Sequence, residues 1–91
     1  MTVLELAAQM NVLVLEPRST YDRAMVAVEV DVEGGPPRAV YSGEACVQAV
    51  MDAQGWAFDE AVEWVDFNVV GACVGAGYPL IVWRGWFDDE K

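Results

Sequence analysis

The stretch AMVAVEVDVE, residues 24–33, alternates side-chain types along its length and runs straight into GGPP and RAVYS. Such alternation marks a half-buried β-strand, because successive side chains of a strand point to opposite faces. Val26, Val28, Val30 and Val32 form one face, and Ala27, Glu29, Asp31 and Glu33 the other. Residues 34–37 are a turn by composition. RAVYS, residues 38–42, then returns as a second strand, antiparallel to the first by hairpin logic. Pro36 and Pro37 have no N–H to donate, so ladder pairing starts only beyond them.

Helices are expected on either side of this hairpin. Thr2 and Glu5 match a capping box, predicting a helix from Val3 to about Met10 that Asn11 can end. Residues 12–15 are apolar and closed by Pro17, predicting a short strand, and residues 18–22 read as a polar turn. Ser42 is a good N-cap for a helix over 45–53, with Cys46, Val47, Ala49, Val50 and Met51 on its apolar side and Gly55 as terminator. Phe58, Ala61, Val62, Val65 and Val69 recur at helical spacing, predicting a helix over 58–70 with these residues as its core stripe. Gly71, Gly75 and Gly77 end it, and PLIVW is a final strand. The predicted fold is one α+β domain over residues 1–87. A small antiparallel sheet of three or four strands packs against three short helices as a single pair of layers, and residues 88–91 form an acidic flexible tail.

Charge is the outlier. The chain of 91 residues carries 15 acids against 5 bases, net −10, and has no histidine. A chain that acidic stays unfolded when it is also poor in apolar residues. This one is 55% hydrophobic with ten aromatics, four of them Trp, so a packed core is expected. Five scattered bases cannot neutralise a run of phosphates, which disfavours direct nucleic-acid binding and favours a basic protein partner. Two cysteines and no histidine argue against a structural zinc site, and no metal or cofactor is expected. The N-terminal residues do not read as a signal peptide, and no apolar run reaches the ~18 residues of a membrane span. A cytoplasmic setting with Cys46 and Cys73 reduced is therefore expected.

Four features could carry function. Asp59, Glu60, Glu63 and Asp66 fall on the face of the 58–70 helix opposite the core stripe, flanked by Trp64 and Phe67. This is either a solvated face whose aromatics wrap onto the core or a partner-binding face, since aromatics within an exposed charged surface are typical of hot spots. Paired carboxylates for acid–base catalysis need a cleft around substrate, for which a small one-core chain has little room. No catalytic residue is assigned, and an enzyme is not expected. The second feature is the carboxylate row Glu29, Asp31 and Glu33 on the outer strand face. Its repeat of about 6.6 Å resembles in scale the charge row of a nucleic-acid backbone, although edge charge also serves simply to prevent aggregation. The third, GACVGAGYP, lacks the Gly-Lys-Ser/Thr and Gly-x-Gly-x-x-Gly signatures of phosphate loops and reads as a close-packing turn. The fourth is Trp83, Trp86 and Phe87, a Trp-rich surface suited to a homodimer or partner interface.

Three stretches, LEPRSTYDRAMVAV (15–28), YSGEACVQAVM (41–51) and EAVEWVDFNVVGACVGAGYPLIV (60–82), together resemble a family of small phage and prophage proteins of unassigned activity. Members of that family carry an aromatic after the Gly-Ala and a Thr before the Pro, where this chain has Cys73 and Tyr78. The resemblance implies a phage-encoded accessory protein and brings no catalytic motif. Combined with the charge, it points to a host inhibitor that occupies a basic, nucleic-acid-binding surface of a host complex, an anti-CRISPR protein among the options. The partner-binding residues on this reading are Glu29, Asp31, Glu33, Asp59, Glu60, Glu63, Trp64, Asp66 and Phe67. The alternatives are a homo-oligomeric structural or regulatory phage protein, and a small-ligand or nucleotide-binding protein using the 71–78 turn with Arg84 nearby.

Overall fold

A computed structural model describes residues 1–30, 32–73 and 75–85 of the chain. Asp31 of the strand row, Trp86, Phe87 and the 88–91 tail lie outside the described residues. The fold is α+β, built on a three-stranded mixed sheet of order β1-β2-β3.

The first helix, α1 (Val3–Met10), begins with the capping box that its sequence encodes. The Glu5 amide donates to Thr2 Oγ1 at 3.1 Å and the Thr2 amide donates to Glu5 Oε1 at 2.7 Å. Asn11 closes it in the left-handed region, φ 56°. There the Val12 N–H reaches back to the Ala7 carbonyl at 3.3 Å, a Schellman-type end. Residues 12–15 do not form the expected strand. The Leu15 N–H donates to the hydroxyl of Tyr41 at 2.9 Å, so a core side chain, not a neighbouring strand, satisfies that backbone. Residues 18–22 are not a loose turn either. They open as α2 (Arg18–Tyr21), whose Thr20 and Tyr21 amides donate to the Pro17 carbonyl, and continue as a 3-10 turn (Asp22–Ala24). An Arg18–Asp22 ion pair at 3.0 Å braces it, and Tyr21 and Ala24 enter the core.

The hairpin forms but is shorter than predicted. β1 (Met25–Glu29) pairs antiparallel with β2 (Arg38–Ser42), and the last pair is Glu29 with Arg38. The two prolines explain the length. With no donors at 36 and 37, β2 starts at Arg38, and among the described residues β1 has no partner beyond Glu29. A register shift between Met25 and Ala27 also breaks the predicted alternation. Such a bulge re-aims side chains. Met25 is buried and Val28 packs against the core, while Val26, Val30 and Val32 are exposed, Val32 at 96%.

β2 leads directly into α3 (Gly43–Gln54). Ser42 Oγ accepts the Ala45 N–H at 3.1 Å, and Gly55 ends the helix at φ 72°. α4 (Phe58–Val65) follows and continues without a break into a π-helical segment (Asp66–Val70). β3 (Leu80–Val82) then lies beside β2 and runs parallel to it, correcting the all-antiparallel expectation. Hairpin logic holds only for strands joined by a tight turn; β2 and β3 are joined by two helices, which carry the chain back across the sheet before the next strand begins.

Sheet and helices enclose a core that includes Ala7, Ala24, Ala39, Tyr41, Cys46, Val47, Ala61, Val65 and Val69. Gly43 at the start of α3 leaves room for the Trp83 ring, which a Cβ there would overlap. Glu44 ties down the chain beyond β3, accepting the Arg84 and Gly85 amides at 3.0 and 2.7 Å.

Both cysteines are free thiols, Cys46 buried and Cys73 half-buried. Burial pushes the Cys46 thiol up to about 12, with a smaller contribution from Cys73, and burial also raises Tyr41. In the folded chain both groups stay neutral where the unfolded chain would ionise them. These two groups therefore leave stability unchanged well below pH 9, and stability falls as pH rises from 9 toward 12. Urea titrations at pH 8 and pH 11 test this: the midpoint drops at pH 11 for the native chain, and Cys46→Ala shows a smaller drop. Equal drops in both would show that Cys46 is not the titrating group.

Candidate functional site

α4 and the π segment present two unlike faces. Ala61, Val65 and Val69 are buried and Val62 is half-buried. Phe58, placed in the core stripe by its spacing, is instead 46% exposed. It occupies the first residue of α4, and the buried stripe begins one turn later at Ala61.

The opposite face carries the predicted acidic group. Asp59, Glu60, Glu63 and Asp66 are all exposed. Two of them are accounted for by folding. Glu60 Oε1 accepts the Ala57 N–H at 3.2 Å and Asp59 Oδ1 accepts the Glu60 N–H at 3.1 Å, so both satisfy donors at the helix N-terminus, where negative charge is favoured. Glu63 and Asp66 have no such role. They are spaced i, i+3 from each other and Glu63 is i, i+3 from Glu60, a like-charge arrangement that costs a few tenths of a kcal/mol per pair. Among the described residues no cation pairs with any of the four. The arginine ion pairs lie elsewhere, at Arg18–Asp22, Arg23–Asp52 and Arg38–Glu29.

Aromatic side chains stand beside this charge. Trp64 is 42% exposed and Phe67 78% exposed. Trp56, in the short connection before α4, meets Trp64 at a ring-centroid distance of 5.4 Å with planes 66° apart. Trp56, Glu60, Glu63, Trp64, Phe67 and Asn68 line one open groove of about 460 Å³. A second, smaller hollow on the other side of the same acids is lined by Phe58, Asp59, Glu60, Val62 and Glu63. Glu60 and Glu63 thus form a ridge between two partly apolar grooves.

The sequence had no sign of Trp56 as a neighbour of Trp64, or of the π segment. In that segment the Gly71 N–H bonds to the Asp66 carbonyl at 3.1 Å, five residues back. The Asn68 side chain donates to the Trp64 carbonyl at 3.1 Å, the oxygen its own N–H would take in an α-helix. That competition favours the wider turn, and single π turns inside helices are frequent at functional sites. Asn68, one residue before the end of the apolar stripe at Val69, was the one available hint.

The strand row is not assembled as predicted. Glu29 is bound to Arg38 at 2.7 Å across the hairpin. Glu33 lies in the turn beyond the strand, and Asp31 is outside the described residues. A hollow of about 470 Å³ does sit at this end of the sheet, lined by Glu29, Val30, Val32, Pro36, Arg38, Ala76 and Gly77, but its Glu and Arg neutralise each other. Gly77 of the 71–78 turn stands beside Pro36, where a Cβ would make only ordinary contact, so its φ of 83° and not close packing is what calls for glycine there.

Among the described residues no group of three or more His, Cys, Asp and Glu is placed to hold a metal ion, and no helix is long and apolar enough to cross a membrane. No family model, curated protein or solved structure matches the chain.

Proposed function

We propose that this chain is a small acidic binding protein of phage type that inhibits a host complex by covering its basic, nucleic-acid-binding surface, and that it does so with the outer face of α4 and the π segment. One observation carries the reading: Glu63 and Asp66, exposed carboxylates with no hydrogen bond or ion pair among the described residues, flank the exposed Trp64 and Phe67, and Glu63 lines one groove with both rings. Exposed charge gives long-range attraction and orientation, and exposed aromatics give the short-range anchor. On this reading the protein works in the host cytoplasm, without catalysis and without touching nucleic acid, and a CRISPR effector is one host complex of the required kind. The strand row drops to a secondary contact, because Glu29 already has a partner.

The test is affinity capture from a bacterial host lysate with the native chain and with Glu63→Lys/Asp66→Lys. The native chain recovers a basic nucleic-acid-handling protein whose association weakens as salt rises. The double variant keeps its fold and loses the partner. If both recover the same protein equally, with no salt dependence, the acidity serves solubility alone.

A homo-oligomer is the second reading, favoured by the exposure of Phe67, Trp64 and Trp83. Light scattering separates the two: a concentration-dependent dimer that Phe67→Ala or Trp83→Ala dissolves would establish self-association.

A further inference from the structure

The groove beside α4 is specific in a way that an acidic patch is not. Two indole rings meet at 66°, with centroids 5.4 Å apart, and form a corner rather than a flat wall. Trp56 is half-buried, held where α3 turns into α4, so that side of the corner is fixed by the fold. The same groove is lined by the carboxylate-bearing Glu60 and Glu63 and is bounded by Phe67. Glu60 has one oxygen committed to the Ala57 amide, and Glu63 has neither committed among the described residues. Ring faces carry partial negative charge and attract cations. Two such rings beside two carboxylates therefore make a site whose electrostatics all have one sign, and the chain around it is net −10.

We infer that the corner between Trp56 and Trp64 is a cage for one arginine side chain of the basic partner, with Glu60 and Glu63 as its counter-charges. This rests on the binding face proposed above and names what enters it. A planar guanidinium stacks on an indole face while its N–H edge meets a carboxylate, and it is less strongly hydrated than an ammonium. The groove is open on one side, which suits a flat group laid against a wall better than a point charge needing enclosure.

The experiment titrates the protein with acetyl-Gly-Arg-Gly-amide while the indole N–H resonances are followed by NMR, with the isosteric citrulline peptide as neutral control. Trp56→Leu and Trp64→Leu assign the signals. The arginine peptide is expected to move the Trp56 and Trp64 resonances, leave Trp83 in place, and bind about tenfold more tightly than the citrulline peptide. Glu60→Gln/Glu63→Gln and Trp56→Leu each abolish that preference, and Trp56→Phe, which keeps an aromatic face, restores part of it. Equal shifts with both peptides, or a preference that survives Trp56→Leu, overturns the cage. The partner captured from lysate tells the two failures apart. If Trp56→Leu and Glu60→Gln/Glu63→Gln hold it at native affinity while Phe67→Ala loses it, the cage is wrong and the binding face stands. If Phe67→Ala and Glu63→Lys/Asp66→Lys also hold it, the face itself is wrong.

Discussion

Val65→Asp should strip the domain of most of its stability. Val65 is fully buried on the core-facing side of α4, which packs on α3. Aspartate there places an unpaired charge in the core cluster that also holds Cys46, Val47 and Ala61, or forces α4 off α3. The cost is more than ~4 kcal/mol, the range reached only when a charge or a large cavity enters a core, against a total stability of about 5–15 kcal/mol for a domain of ordinary stability. Val62→Asp is the informative comparison. It lies on the same predicted stripe but is half-buried, so its carboxylate can swing outward and the cost falls to about 1–2 kcal/mol. Circular dichroism melts of the two variants therefore fix the rotation of α4. A cooperative Val65→Asp melt within a few degrees of the native chain, or a Val62→Asp variant that is the worse of the two, would mean that a different face of the helix is buried.

The same helix shows which parts of this protein could be read from sequence and which could not. Caps were legible because they are local chemistry: Thr2 with Glu5, Ser42 with Ala45, and Gly55 at positive φ act over three or four residues. The hairpin was legible in direction, and its prolines even marked where pairing could begin. Its length was misread because alternation alone does not supply a partner; beyond Glu29 the valines have period 2 but nothing to pair with. The parallel β3 was not legible, since strand direction depends on the path of two helices between the paired segments. For the candidate site, helical periodicity correctly put Asp59, Glu60, Glu63 and Asp66 on the outer face. It could not reveal that Asp59 and Glu60 are drawn into the N-terminal bonds of α4, that Arg38 takes Glu29, or that Trp56 closes on Trp64 from a separate segment. Each of those is a tertiary choice among several partners of equal local plausibility.

Phe67→Ala is expected to cost partner affinity about thirtyfold or more while leaving the fold as it is. Phe67 is 78% exposed, so removing its ring takes little buried area from the native state and changes stability by no more than ~0.5 kcal/mol. Trp64→Ala is less clean, because it also removes the edge-to-face contact with Trp56, worth about 1 kcal/mol to the fold. The two classes of variant should separate by kinetics. An aromatic anchor is buried only once the complex has formed, so Phe67→Ala raises the dissociation rate by a similar factor at low and high salt. Glu63→Lys/Asp66→Lys alters the field that the partner meets on approach, so it lowers the association rate and flattens its salt dependence. Surface plasmon resonance on the captured partner, run at 50 mM and 300 mM salt, resolves both. If Phe67→Ala binds like the native chain while the charge variant fails, the face attracts its partner without anchoring it, and the contact energy must come from another surface, of which Trp83 beside Gly43 is the first to test.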